Sequence, residues 1–281
     1  VKNKIASYLS SILTLLFLLA TSAIAGETKI IWHGHSAFEI ITPKGKVLMI
    51  DPWLKNPLNP DAKDGKDPVA AVKKLDYILL THAHFDHVGD TVALGKKTGA
   101  RLVATFELGT NLARALGYPK DQMGFDTLMN TGGEIQIADG EVMVAMTPAI
   151  HSSGFDTTDA TQPMIYGGNP VGFVIRIKDG PTIYHSGDTA YFKDMELIGE
   201  NYSPDLALIN IGGHFGMEPD MAARAAHAVH AKRVVPHHFK TFPILVQNDK
   251  EFVKALAKFK ISPLSMSPGD TIVYDGKTLK K

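Results

Sequence analysis

Thr81-His82-Ala83-His84-Phe85-Asp86-His87-Val88-Gly89-Asp90 is the stretch from which the rest of the chain is read. His82, His84, Asp86 and His87 fall within six residues of one another. Imidazole nitrogens and carboxylate oxygens are the donors that Zn²⁺ and neighbouring divalent metals accept. The apolar run at 75–80 has strand character, and 88–97 reads as a helix with Gly99 as its stop. The histidines therefore belong to a strand-to-helix loop. In extended chain, side chains at i and i+2 point the same way, so His82 and His84 can pinch one ion. Asp86 and His87 come at the turn and point towards a second. A solvated His-rich loop is the competing reading. The H-x-H-x-D-H spacing directly after a buried strand weighs against it.

Outward from that loop, composition sets the bounds. The 281 residues are 44% hydrophobic, and 29 basic residues balance 29 acidic ones. That suits a large domain with a sizeable core. No basic stripe points to nucleic acid. The absence of cysteine excludes a lipid-modified cysteine, disulfides and a thiolate metal ligand. Residues 1–25 read as a secretory signal peptide: Lys2 and Lys4 open it, 12–20 is apolar, and Ala23-Ile24-Ala25 is an A-x-A cleavage site. Ser10, Ser11, Thr14, Thr21 and Ser22 interrupt the run, which falls short of the ~18–20 residues of a spanning helix. The expectation is one domain over 26–281, exported to a bacterial periplasm, with no stable membrane anchor after cleavage.

Along the chain, 29–32, 37–41 and 46–50 read as strands, the last two joined by the turn Thr42-Pro43-Lys44-Gly45. After the metal loop come a strand at 101–105, a helix at 107–116 and a hairpin around Asp139-Gly140. Strands at 171–177, 181–185, 205–210 and 233–235 follow, with helices at 191–198 and 219–230. His151, Asp188 and the pair His237-His238 all stand at strand ends. Asp188 has a competing reading as a helix N-cap. The polar loops 54–67 and 153–170 read as walls of substrate access.

The motif T-H-x-H-x-D-H-x-G-D resembles the signature of the metallo-β-lactamase superfamily. Gly34-His35-Ser36, Asp51-Pro52, Ser186-Gly187-Asp188-Thr189, Gly212-Gly213-His214-Phe215 and His238-Phe239-Lys240-Thr241-Phe242-Pro243 are similar to the UlaG-like branch of metal-dependent hydrolases. The resemblance implies a four-layer αβ/βα sandwich: two mixed sheets face to face with helices outside. It implies two divalent ions, zinc first, with manganese or iron as alternatives. His82, His84 and His151 hold one ion; Asp86, His87 and His238 hold the other; Asp188 bridges. Asp51 supports the loop from beneath. Counting back from Thr241-Phe242-Pro243 selects His238 over His237. Two ions ~3.5–4 Å apart share a water and lower its pKa towards ~7 for attack on an ester, lactone or phosphodiester. Asp86 orients that nucleophile. His35 and His214 are expected at the small-molecule substrate, His214 also as a proton donor. The alternatives are a β-lactam hydrolase, a metal-dependent oxidoreductase of the same fold and a non-catalytic metal-binding protein.

Overall fold

The computed structural model describes residues 26–155, 161 and 163–281. The expected signal peptide, 1–25, lies outside the described residues, as does part of the 153–170 loop.

The strands are β1 (Thr28–Trp32), β2 (Phe38–Ile41), β3 (Val47–Ile50), β4 (Tyr77–Leu79), β5 (Arg101–Thr105), β6 (Leu128–Met129), β7 (Glu134–Ile137), β8 (Val142–Pro148), β9 (Gly154–Phe155), β10 (Ile165–Tyr166), β11 (Val171–Ile177), β12 (Thr182–His185), β13 (Leu206–Asn210), β14 (Arg233–His237), β15 (Ser262–Pro263), β16 (Thr271–Tyr274) and β17 (Leu279–Lys280). The helices are α1 (Pro60–Lys63), α2 (Pro68–Ala71), α3 (Phe85–Val88), α4 (Thr91–Thr98), α5 (Phe106–Ala115), α6 (Met195–Tyr202), α7 (Pro219–Ala228) and α8 (Lys250–Leu256). One sheet has eight strands in the order β17-β16-β1-β2-β3-β4-β5-β6, and a second has seven in the order β15-β14-β13-β12-β11-β8-β7. Both are mixed. In the first, β1 pairs antiparallel with β2 and β3 pairs parallel with β4. In the second, β11 pairs antiparallel with β12 and β13 pairs parallel with β14.

Side-chain alternation shows how the layers form. Leu79 on β4 and Val103 on β5 join Phe173, Ile175 and Val144 of the second sheet in one core. Ile78 and Leu80, with Leu102 and Ala104, point the other way and pack on Leu94 of α4 and on Leu108 and Leu112 of α5. Both faces of these strands are therefore buried, which is why 75–80 reads as a continuous apolar run rather than an alternating one. On the far side of the second sheet, α7 buries a stripe of alanines, Ala222, Ala223, Ala225 and Ala226, and so packs close. This is the expected four-layer α/β sandwich.

Two local expectations are corrected. The helix expected at 88–97 is two helices, because Gly89 (φ 33°) ends α3 before α4 begins. A Cβ at Gly89 would sit 2.5 Å from the Trp53 Cα, so the break also lets α3 pack against Trp53. The helix expected at 191–198 starts later, at Met195, so Asp188 does not cap it. The C-terminal strands β16 and β17 extend the first sheet beyond β1.

Candidate metal centre

The metal loop is built by β4 and α3. Strand β4 is central in its sheet, between β3 and β5, and its end delivers Thr81 and His82 into the gap between the sheets. His84 occupies the N-cap position of α3, so the next turn carries Asp86 and His87. The second sheet delivers His151 beyond β8, Asp188 beyond β12 and His238 beyond β14.

These ends converge. His82 Nε2 lies 3.0 Å from His84 Nδ1, and His151 Nε2 lies 3.3 Å from the same atom. Three imidazole nitrogens thus meet at one point. Nitrogens held ~2.0–2.1 Å from one tetrahedral ion would be ~3.3 Å apart. Burial, above all, lowers the pKa of all three rings, and neighbouring histidines add to this. They therefore present lone pairs at neutral pH.

A second set adjoins the first. Asp188 Oδ2 is 3.0 Å from His238 Nε2, 3.4 Å from His87 Nε2 and 3.7 Å from His151 Nε2. The Asp188 carboxylate so touches both sets. Asp86 Oδ2 is 3.6 Å from His238 Nε2. Burial alone would lower the His87 pKa, but the Asp188 and Asp51 carboxylates outweigh it and hold it well above the ordinary imidazole value. The His238 balance is similar: Asp188 and Asp86 overcome burial and push it up to about 9. Burial would raise the Asp86 carboxyl, but hydrogen bonds from His238 and His35 hold it below the usual range.

The donor set fits divalent metal ions. Among the described residues the buried His87 Nε2 has no well-aligned hydrogen-bond partner, and its nearest carboxylate is Asp188, 3.4 Å away. Its other nitrogen, Nδ1, donates to Asp51 Oδ2 over 2.7 Å, so the free nitrogen is aimed at the cluster. The same carboxylate also fixes His82. His82 Nδ1 donates to Thr81 Oγ1 over 3.0 Å, and that hydroxyl donates to Asp51 Oδ2 over 2.7 Å. One aspartate thus selects the tautomer of two histidines, the usual task of a group behind a metal ligand. Three of the residues that shape the site, His35, Asp51 and His238, have positive φ (51°, 45° and 59°). Such backbone costs ~1–3 kcal/mol per residue and is held only by strong surroundings.

The structure places the remaining sequence-predicted residues differently. His238 joins the cluster, whereas His237 points inward: its Nδ1 is 3.2 Å from Ser36 Oγ, and its ring stacks on His185 at 4.6 Å. His35 was expected at the substrate. It is instead fully buried behind Asp86, with Nε2 3.0 Å from Asp86 Oδ2 and Nδ1 2.8 Å from Thr241 Oγ1. It lies close to Asp86, His87 and His238, but its two ring nitrogens are engaged by Asp86 and Thr241. Burial, then His238, lowers its pKa to about 3. His214 is not brought into the site. It is exposed, with its ring edge on Phe215, and Phe215 is the residue that reaches the cavity. Sequence reading missed His185, fully buried behind the cluster, where Gly187 N donates to its Nδ1 over 3.1 Å. Nothing in the sequence distinguishes it from an ordinary strand-end histidine.

The cluster opens into a cavity of about 600 Å³. Its floor is His84, Asp86, His151, Asp188 and His238, and its walls are Phe85, Phe215, Phe242 and Ile244, with Ser152.

Two facing mixed sheets, with histidines and aspartates converging from both at one edge, define the metallo-β-lactamase class of fold and site. Comparison with known proteins agrees. A family model described as a beta-lactamase superfamily domain matches residues 47–239. The chain is 48% identical over 263 residues to a UPF0173 metal-dependent hydrolase of Thermodesulfovibrio yellowstonii, covering 93% of this chain and 97% of that one. It is 49% identical over 254 residues to a UPF0173 metal-dependent hydrolase of Anaeromyxobacter dehalogenans, covering 90% and 89%. Among solved structures, Igni18, a metallo hydrolase from Ignicoccus hospitalis, superposes with a TM-score of 0.75 at 33% identity, covering 88% of this chain and 98% of that one. This chain belongs to the metallo-β-lactamase superfamily.

Proposed function

We propose that this protein is a metal-dependent hydrolase that cleaves an ester, lactone or phosphodiester bond at a two-metal site. The observation that carries the reading is the Asp188 carboxylate, which lies within 3.7 Å of His151 of one donor set and within 3.4 Å of His87 of the other. When bound, divalent ions supply a water of lowered pKa and polarise the bond under attack.

The chain's own residues do the rest. Asp51 and Thr81 hold His82 and His87 in the tautomers that present Nε2. Asp86 stays ionised at the cavity floor, where it orients the attacking water, while His35 fixes its Oδ2. A positioned carboxylate of this kind contributes typically ~10²–10⁴-fold to rate. Phe85, Phe215 and Phe242 place apolar surface beside the floor. Zinc suits a donor set of nitrogen and oxygen alone, and manganese or iron suit it too. The leader reading adds a periplasmic setting to the proposal.

The test is turnover of an ester, a lactone and a phosphodiester panel by protein loaded with Zn²⁺ or Mn²⁺, by chelator-stripped protein and by a His84→Ala variant. Turnover that needs both metal and His84 is expected. No turnover by any loaded form contradicts the reading.

A further inference from the structure

The walls of the cavity say what kind of molecule it takes. Phe85 is 65% exposed, and Phe215 and Ile244 are each 55% exposed. These are large apolar side chains held towards solvent at one place, directly above a floor of metal-binding residues. The aromatic wall is rigid. Phe242 stacks on Trp53 at 5.8 Å and 16°, and the edge of Phe85 meets Trp53 at 5.7 Å. Rigid aromatic surface of this sort binds apolar groups at low entropic expense.

Charge points the same way. Among the described residues, no lysine or arginine lines the cavity. The described residues around His151 and Ser152 (149–155, 161 and 163–170) and those around Phe215 (211–218) contain neither residue type. Lys55 on the 54–67 loop is turned to Asp90, with Nζ 3.5 Å from Oδ1. Lys240 lines a different cavity, beside Trp32 and Phe239. A substrate carrying a phosphate or sulfate away from its reacting bond would find no lysine or arginine among the described lining residues to receive it. A sugar would find few wall groups for its hydroxyls beyond Ser152.

We infer that the substrate is an ester or lactone whose non-reacting part is an uncharged alkyl or aryl group, seated against Phe85, Phe215, Phe242 and Ile244. This rests on the hydrolase reading for the reacting bond and extends it to the rest of the molecule. Water adds across the acyl C–O bond: its oxygen joins the acyl carbon, the leaving oxygen takes a proton, and no oxidant or reductant is involved. Phe215 and Ile244 are the specificity-determining pair, since both line the cavity and neither offers a metal-binding atom.

The experiment uses the metal-loaded chain with p-nitrophenyl acetate, butyrate, hexanoate and octanoate, beside a phosphorylated sugar lactone. kcat/KM is expected to rise about two- to fourfold per methylene until the cavity is full. A Phe215→Ser/Ile244→Ser variant is expected to lose at least about tenfold more on the octanoate than on the acetate. Turnover indifferent to chain length, or preference for the phosphorylated lactone, overturns the inference while leaving the hydrolase reading intact. If no ester reacts, the hydrolase reading is left to the lactone and phosphodiester arms of its own test, and binding decides this inference. Calorimetric affinity for acetate, hexanoate and octanoate that tightens with each methylene supports the apolar cavity, and flat affinity overturns it.

Discussion

Replacing Asp51 by asparagine changes one atom at the centre of the tautomer network. Asp51 Oδ1 accepts from Thr81 N over 2.8 Å, while Oδ2 accepts from the Thr81 hydroxyl and from His87 Nδ1, each over 2.7 Å. All three contacts need an acceptor. An amide supplies an acceptor on one side only. Turned one way, its NH₂ faces the Thr81 backbone N–H. Turned the other way, it faces His87 Nδ1, and the ring must then carry its proton on Nε2, the nitrogen that aims at the ion. The group is fully buried, so a donor facing a donor costs about 1–3 kcal/mol. Loss of such a partner behind a metal ligand typically weakens metal affinity ~10–100-fold, or about 1.4–2.7 kcal/mol. The assay is competition with a chromophoric chelator, on wild type and Asp51→Asn, with circular dichroism to show that both are folded. Metal affinity lowered by that factor in a folded variant is expected. Wild-type affinity for both ions in Asp51→Asn would refute the tautomer argument.

Other consequences follow from the same geometry. Burial holds the His185 pKa down from 6.5 to about 4, so below pH 6.5 the unfolded chain binds a proton that the folded chain still refuses. Its contribution is fully present above pH 6.5 and is lost as pH falls through about 4, to the extent of about 3 kcal/mol at pH 4. Urea titrations at pH 7 and pH 4 on metal-free wild type and His185→Gln measure it; the variant should lose less stability on acidification by that amount, and equal losses would contradict the assignment. A Cβ at Gly212 would stand 2.5 Å from the His238 carbonyl oxygen and 2.7 Å from its Nδ1. Gly212→Ala should therefore displace His238 and lower kcat/KM by about 10²-fold, as misplacements near 1 Å do; near-native kinetics would show that the loop has room. His214 is exposed and outside the cavity, so His214→Ala should change kcat and KM by less than about threefold. A large drop in kcat would return it to the reaction as a proton donor.

The sequence and the structure agree most closely where chemistry is local. H-x-H-x-D-H after an apolar run is legible because a strand end and one turn of helix place all four side chains by themselves. The strand-end positions of His151, Asp188 and His238 are legible for the same reason, once a pattern says which strand ends to trust. What was not legible arises between distant segments. His35 and Thr241 meet across 206 positions and hold Asp86 from behind. Ser36 meets His237 across 201 positions, in a buried stack that no local pattern announces. His214 misled because a glycine-flanked histidine looks like a site residue, yet the turn gives the cavity its neighbour, Phe215. The break at Gly89 was hidden because helix-forming residues stand on both sides of it, and packing against Trp53 decides. The apolar wall is likewise a product of assembly, since Phe85, Phe215, Phe242 and Ile244 come from three separate segments of the chain.

The most direct test of the central claim is metal content per chain, by elemental mass spectrometry, on purified native protein and on His82→Ala and His238→Ala variants. The account predicts close to two ions in the native protein and fewer in each variant. One ion would contradict the two-metal site and the bridging position of Asp188, and no ion after incubation with Zn²⁺, Mn²⁺ or Fe²⁺ would contradict a metal-dependent enzyme altogether.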